Sequence, residues 1–194
     1  MTSSSCRVLC AIALLSNACV SLAADGGAGC TGCHGPNGVS SSGGTPTIAG
    51  MSAAYLNSQM TAYQGGTRTC VPASASDMCS IAKSTSAADV GSTSAFFASQ
   101  HFVAARQQTD PAVVRRGRAI HQLRCEACHS HSGGDTSDDA GLLAGQWRPY
   151  LEVALTAMVA HTRPQPPAMQ SQVEHLSAAD VTALSEFYAS EVAP

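Results

Sequence analysis

The sequence predicts an all-α fold made of one helical unit that occurs twice along the chain. Three observations support this prediction: a long internal repeat, apolar residues at helical spacing, and a Cys-x-x-Cys-His motif in each copy. A repeat of this length indicates two structural units of the same kind, because each copy carries its own helical pattern. The two predicted domains are residues 25–104 and residues 105–194.

The repeat keeps one register through most of its length. Counted from the motif histidines His34 and His129, the same residue types recur 16, 21 and 34 positions later. The matched pairs are Gly50 and Gly145, Tyr55 and Tyr150, and Arg68 and Arg163. Beyond these arginines the offset falls by four residues, because the first copy has an insertion around Cys70. The C-terminal segments then match again, which sets the number of domains at two.

The two motifs, Cys30–His34 and Cys125–His129, carry the strongest chemical signal in the sequence. In each motif, two thiols one helical turn apart can bond covalently to the two vinyl groups of a haem, and the adjacent His then reaches the iron. A Cys-x-x-Cys pair also occurs in zinc sites and redox dithiols. Two copies inside a repeat favour haem, so we predict two covalently bound haem c groups. Their attachment and ligand residues are Cys30, Cys33 and His34 in the first copy and Cys125, Cys128 and His129 in the second.

Residues 1–24 have the pattern of a secretory signal peptide. Arg7 precedes an apolar run from Val8 to Leu15, and the small residues Ala23 and Ala24 follow. A positive start, a short apolar run and small residues at the end are typical of a cleaved signal. An uncleaved membrane anchor is the alternative, but the apolar run is too short to span a bilayer. We therefore predict export and a periplasmic location for the mature chain.

Two cysteines, Cys70 and Cys79, remain outside the signal peptide and the haem motifs. An oxidising compartment favours a disulfide between them, and two unpaired thiols are the alternative. A bridge this short restricts the unfolded chain by about 2–3 kcal/mol.

The mature chain carries 9 basic and 13 acidic residues once Arg7 is removed. It has no basic stripe interleaved with aromatic residues, so we predict no nucleic-acid partner. The cluster of Arg115, Arg116, Arg118 and Arg124 is explained more simply as the solvated face of a helix.

The two copies differ before their motifs. Few residues precede Cys30 in the mature chain, too few for a helix. Before Cys125, Asp110 is a helix cap, Pro111 is a first-turn proline, and apolar residues follow at helical spacing. Within that helix, Gly117 either lets another helix cross closely or is a tolerated helix glycine.

Two further amphipathic helices are predicted in each copy. The middle helices begin at Ser52 in the first copy and Pro149 in the second. Trp147, just before the second of these helices, either covers a haem or packs between the domains. The apolar stripes of the middle helices are Leu56, Met60 and Tyr63 in the first copy and Leu151, Leu155 and Met158 in the second. Met60 and Met158 are therefore predicted to be core residues. The final helices start at Ser86 and Ser177, each followed three residues later by Asp, which is a capping-box pattern.

Met78 and Met169 each stand eight residues before these capping serines. Their matched positions single them out as the second iron ligands, opposite His34 and His129. Ligation by His and Met raises the reduction potential and closes the iron to substrates, which suits electron transfer. The remaining histidines have no matched copies and are predicted to be surface or packing residues. The alternative is that His161 or His175 ligates the second iron in place of Met169. The histidines without a match are His101, His121, His131, His161 and His175.

The order of haem motif, helix, Met and final helix resembles class I cytochrome c in each half. The tandem resembles the dihaem cytochrome c-four family, so the expected fold is two tandem class I cytochrome c domains, each wrapped around one covalent haem. In that family a proline carbonyl holds the axial His, and Pro46 lies at this position whereas the second copy has Gly141. The runs Cys125–His129, Leu143–Leu151 and Phe187–Ser190 resemble the cytochrome subunit of flavocytochrome c sulfide dehydrogenase more narrowly.

This resemblance implies an electron-transfer protein, not an enzyme in itself. The implied donor is an FAD-containing flavoprotein subunit that oxidises sulfide, and the implied acceptor is a small cytochrome or a terminal oxidase. By repeat position, Tyr55, Arg68, Tyr150 and Arg163 are candidates for haem propionate contacts or, alternatively, packed tyrosines and surface arginines. A free dihaem shuttle and a dihaem enzyme such as a peroxidase or thiosulfate dehydrogenase are the other hypotheses.

A chain without haem should fold incompletely. Each half has about 80 residues and few aromatic side chains, so the porphyrin supplies apolar volume that the chain lacks. Circular dichroism of protein made without haem attachment should show less helix than the haem-loaded protein. Equal helix content in the two preparations would contradict this expectation.

Overall fold

The computed structural model describes residues 27–70, 77–137 and 139–192. The regular secondary structure within these ranges is entirely helical, which confirms the predicted all-α class. The predicted signal peptide, residues 1–24, lies outside the described residues. Within the ranges described, none of the helices combines the length and the apolar character needed to cross a membrane.

The repeat is visible in the helix bounds. The first copy contains α1 (Ala28–His34), α2 (Ala53–Gln64), α3 (Met78–Ser84) and α4 (Ala87–Ala98). The second contains α5 (Pro111–Arg124), α6 (Ser130–Gly133), α7 (Arg148–Val159), α8 (Pro167–Val173) and α9 (Ala178–Ser190). Helices α2 and α7 match residue for residue, α3 corresponds to α8, and α4 corresponds to α9. The counterpart of helix α5 would fall at residues 16–29, most of which lie outside the described residues, so its predicted absence stays a prediction.

The predicted helix caps are present. The Ser52 side chain accepts from the backbone N–H of Tyr55 at the start of α2. Asp110 caps α5 in the same way, with Pro111 in its first turn. Ser177 forms the full reciprocal capping box with Asp180 at the start of α9. Helix α7 begins at Arg148, one residue before the proline that predicts it.

Helices α5 and α9 cross at Gly117. A Cβ atom at this position would overlap the backbone carbonyl of Ala183 and lie 2.6 Å from Cβ of Phe187. Because the overlap is with backbone, no rotamer change relieves it. The close-crossing interpretation of this glycine is therefore confirmed, and the contact fixes α5 against the C-terminal helix.

Each copy has its own apolar core. In the second copy, Val181, Leu184 and Tyr188 of α9 are buried against Leu151 and Met158 of α7. The core of the first copy is smaller and consists of Met51, Leu56 and Phe97 with Leu142 from the second copy. The first core is thus completed by a residue of the other half.

The two halves also meet through hydrogen bonds. Gln146 is fully buried, accepts from the backbone N–H of Thr47 at 2.9 Å and donates to the Thr47 carbonyl at 2.8 Å. The indole N–H of Trp147 donates to the Ser40 carbonyl at 3.1 Å, so Trp147 packs between the halves. The connecting segment, residues 99–110, runs along this contact, where Phe102 lies over Gly50.

Cys70 and Cys79 form the predicted disulfide, with their Cα atoms 6.0 Å apart. The bridge ties the chain after α2 to the first turn of α3, where Met78 is the first residue. The four motif cysteines, Cys30, Cys33, Cys125 and Cys128, are free of disulfides.

Gly117→Ala should lower the free energy of unfolding by about 1–3 kcal/mol, because the added methyl group forces α5 and α9 apart. Gly91→Ala is the matched control, since Gly91 also lies inside a helix but a Cβ there meets nothing within 4 Å. The control should be neutral or stabilise the protein by about 0.5–1 kcal/mol. Thermal and urea unfolding of haem-loaded protein measure both effects. Similar losses in the two variants would refute the close crossing.

Candidate functional site

The second copy contains a cavity of about 860 Å³. Cys125, Cys128 and His129 of the second motif line it, and Met169 of α8 lines it as well. Its walls are largely apolar and come from α7, α8 and α9, with a few residues of the first copy on one side. Cavities that hold cofactors are typically about 300–1,000 Å³, so this one is large enough for a porphyrin-sized group.

The second motif is a single backbone turn that follows α5. The N–H groups of Cys128 and His129 both donate to the carbonyl of Cys125, at 3.1 Å and 2.9 Å. This turn brings two free thiols together at the cavity edge, with Cys125 half-buried and Cys128 exposed. Two thiols and an imidazole on one turn are the donor set that covalent haem attachment needs.

The first motif lies on α1, where Cys30 is half-buried, Cys33 is exposed and the ring of His34 is buried. Nδ1 of His34 lies 2.9 Å from the carbonyl oxygen of Pro46, the contact that the family resemblance implies. Since a carbonyl only accepts, Nδ1 carries the proton and Nε2 keeps a free lone pair. Burial lowers the pKa of His34, although the Pro46 carbonyl opposes the shift, so the ring is neutral at pH 7 and suited to bind a metal.

Met78 and Met169 occupy matched helix starts. Met78 is the first residue of α3 and Met169 the third residue of α8, and both are half-buried. Met169 shares the large cavity with His129, whereas His34 and Met78 do not line it. Met158 lines the same cavity and belongs to the second core. The ligand roles of the two methionines stay predictions.

Four residues predicted from repeat position meet in one polar cluster between the halves. Arg163 is only 6% exposed and donates through Nη2 to the Tyr55 hydroxyl and to Oε1 of Gln59, both at 3.1 Å. Nη1 of Arg68 donates to the same Gln59 oxygen at 2.6 Å. Arg163 and Arg68 also hydrogen-bond to Tyr150. The cluster therefore joins two arginines and two tyrosines, one of each from each copy.

The charges in this cluster are positive, and among the residues that the structure describes no ion pair with a carboxylate balances them. Burial alone would raise the pKa of Tyr150, but the charges of Arg163 and Arg68 outweigh it and lower that pKa to about 8. Burial raises the pKa of Tyr55. Nε of Arg163 is buried without a hydrogen-bond partner. A cationic cluster with an unused donor beside the cavity fits the carboxylate groups of a haem.

Two features of the cluster were not predicted. Gln59 accepts from both arginines, but its matched position in the second copy is Ala154, so the repeat gives no signal for it. Gly141 replaces the proline of the first copy because a Cβ there would lie 2.8 Å from the ring of Tyr55. Both features arise from contact between the halves.

Comparison with known proteins places a cytochrome c domain in the second half. Residues 112–187 match the family described as cytochrome C oxidase, cbb3-type, subunit III. Comparison with curated proteins finds no match.

Among solved structures, the chain is similar to reduced recombinant cytochrome c4 from Pseudomonas stutzeri, with 24% identity and a TM-score of 0.71 over 86% of this chain and 95% of that one. It is similar to cytochrome c4 from Acidithiobacillus ferrooxidans, with 22% identity and a TM-score of 0.71 over 83% and 98% of the two chains. It is also similar to the thiosulfate dehydrogenase TsdBA from Marichromatium purpuratum, with 26% identity and a TM-score of 0.71 over 84% of this chain but only 36% of that one. The fold is thus that of cytochrome c4.

Replacing Arg163 should cost more stability than replacing Arg68, its match in the repeat. Arg163→Met leaves the Tyr55 hydroxyl without this donor and removes one of the two donors to the Gln59 oxygen, a loss of about 2 kcal/mol. Arg68 is half-exposed, so Arg68→Met should cost less than about 1 kcal/mol. The free energy of unfolding of haem-loaded protein measures both. Equal losses would show that Arg163 does not hold the cluster together.

Proposed function

We propose that the chain is a dihaem c-type cytochrome that transfers electrons. The observation that carries this proposal is the cavity of the second copy, which gathers Cys125, Cys128, His129 and Met169 in a unit that the chain repeats. When bound, each haem supplies a one-electron redox centre.

The chain's own residues anchor, orient and enclose each group. Cys30 with Cys33, and Cys125 with Cys128, are the attachment points. The Pro46 carbonyl holds Nδ1 of His34, which leaves Nε2 as the ring nitrogen that would ligate the iron. Met78 and Met169 complete the ligand sets, which leaves no position for a substrate and favours electron transfer over catalysis.

The more specific role we propose is the haem subunit of a flavocytochrome c sulfide dehydrogenase in the periplasm. The motif runs of the second half support it. The sequence contains no flavin-binding motif, so the FAD and the sulfide chemistry belong to a separate flavoprotein subunit. Electrons then leave to a small cytochrome or a terminal oxidase.

A second candidate is electron transfer from thiosulfate oxidation. The similarity to a thiosulfate dehydrogenase over 84% of this chain favours it. Because this chain spans about a third of that protein, the activity of the neighbour does not transfer with the fold.

Substituting the proposed ligands tests the central proposal. Met169→Leu should abolish the Met–iron absorption band of one haem and leave two haems attached, because Leu keeps the volume but cannot ligate iron. Met158→Leu is the matched control, since Met158 lines the same cavity, and it should keep the band. Mass spectrometry gives the haem count. Fewer than two haems per chain, or an unchanged spectrum in Met169→Leu, would contradict the proposal.

Purification from the native source, followed by reduction assays, separates the two donors. A flavin-containing companion and reduction of the haems by sulfide support the sulfide dehydrogenase role. Reduction by thiosulfate in a complex without flavin supports the second candidate. A chain that always elutes alone and is reduced by neither compound would exclude both and favour a free shuttle.

A further inference from the structure

A buried hydrogen-bonded group of three residues lies beside the second motif. His121 on α5 is 1% exposed, and its Nδ1 lies 3.0 Å from the hydroxyl of Tyr188 on α9. Its Nε2 is in close ion-pair contact with the carboxylate of Glu126, although the geometry is not that of a hydrogen bond. The Tyr188 hydroxyl is also within hydrogen-bonding reach of the Cys125 sulfur. The contacts thus run from Glu126, which is 45% exposed, to a predicted haem-attachment atom.

The first copy lacks this group. Its residue matched to Tyr188 is Phe97, which is 1% exposed and fills the same place in the core. The positions matched to His121 and Glu126 are Gly26 and Thr31, so neither side chain has a counterpart in the first copy. Since Phe97 packs without a hydroxyl, the repeated unit does not need this hydrogen-bonded group in order to fold.

Three ion pairs account for most of the other charged groups around α5 and α9. Arg116 pairs with Asp180, and Arg118 pairs with Glu191 and lies over the ring of Phe187 at 4.8 Å. On α9, Glu186 pairs with Arg148. Arg124, at the end of α5, lies near Cys125. Glu126 is therefore the carboxylate that faces the ring of His121, and its exposed side gives protons a route from solvent.

The hydrogen bonds of Tyr188 depend on how many protons His121 carries. In the neutral ring, the negative charge of Glu126 favours the proton on Nε2, so Nδ1 accepts from the Tyr188 hydroxyl. A second proton on the ring must sit on Nδ1, which then donates to the Tyr188 oxygen. Burial raises the pKa of Tyr188 well above its usual value, so the hydroxyl keeps its own proton and can turn it towards the Cys125 sulfur.

We propose that His121, Tyr188 and Glu126 form a proton-binding site coupled to the redox state of the second haem through the Cys125 sulfur. The inference rests on the proposed function, since it requires a haem at Cys125. Protonation of His121 adds a hydrogen bond to the thioether sulfur and a positive charge nearby, and both favour the reduced iron. Uptake of one electron from the donor is thus accompanied by partial uptake of a proton from solvent, with no bond changed other than N–H. By linkage, reduction must strengthen proton binding at His121 by the same factor.

The test compares both haems of the intact haem-loaded protein by potentiometric titration between about pH 5 and 9, where histidines ordinarily titrate. We expect the equilibrium constant for reduction of the second haem to fall at least about threefold as the pH rises across this range. That change corresponds to about 30 mV for one electron. The haem whose spectrum changes in Met169→Leu identifies the second haem.

Two variants remove the coupling by different routes. Tyr188→Phe installs the residue that the first copy uses and deletes only the hydroxyl, so it should fold normally and lose most of the pH dependence. His121→Phe should lose it as well. His101→Phe is the control, because His101 is an exposed histidine of the connecting segment, and it should behave as the parent protein. Nuclear magnetic resonance of the His121 ring carbons gives a direct readout, since the pH at which they titrate should differ between the oxidised and reduced proteins.

Full pH dependence in Tyr188→Phe would overturn the proposal, as would a pH dependence that both haems share and that survives in both variants. An unchanged His121 titration on reduction would also overturn it. Failure of the proposed function is distinguishable, because a chain without haem at Cys125 is detected by mass before any titration.

Discussion

The close crossing of α5 and α9 at Gly117 is the contact on which the second half depends. Helix α5 ends at Arg124 and continues into the motif turn, so the crossing decides where Cys125 and His129 lie relative to the C-terminal helix. The same crossing brings His121 against Tyr188. A side chain at Gly117 would collide with backbone, so the distance between the helices has little freedom. The cavity and the buried hydrogen-bonded group are both consequences of one missing side chain.

The contact between the halves is specific because the two copies contribute different residues to it. Gln146 of the second half and Thr47 of the first form two buried hydrogen bonds. In the repeat, Gln146 corresponds to Met51 and Thr47 corresponds to Leu142. Met51 and Leu142 also lie in one cluster, but that cluster is apolar. One side of the pseudo-symmetric contact is therefore polar and the other apolar. A buried amide with both its groups satisfied fixes the register of the halves, because sliding would leave the amide unpaired.

Much of this structure could be predicted from the sequence because the repeat doubles every local signal. Caps such as Ser52 and Ser177, the proline start of α5 and the apolar stripe of α7 all depend on residues near in sequence, and the structure has them. Of the stripe predicted for α2, only Leu56 lies in the core, and Met60 is half-buried outside it. Contacts between the halves could not be predicted in this way. Gln59 and Gln146 have no polar match in the other copy, so repeat comparison passes over them, although they join segments about a hundred residues apart. The His121 group was missed for a related reason, since an unmatched histidine on a helix gives no sign of its partner on α9.

The two halves also offer their motifs different surroundings. Residues 27–104 contain two basic and two acidic residues, whereas residues 105–194 contain seven and ten. The first motif encloses Thr31 and Gly32, and the second encloses Glu126 and follows Arg124. The attachment chemistry of the motifs is the same, so any difference between the two redox centres must come from charges, hydrogen bonds and solvent access around them. In the proposed function, electrons that pass in one direction need such a difference, and the charged groups of the second half are the residues that would create it.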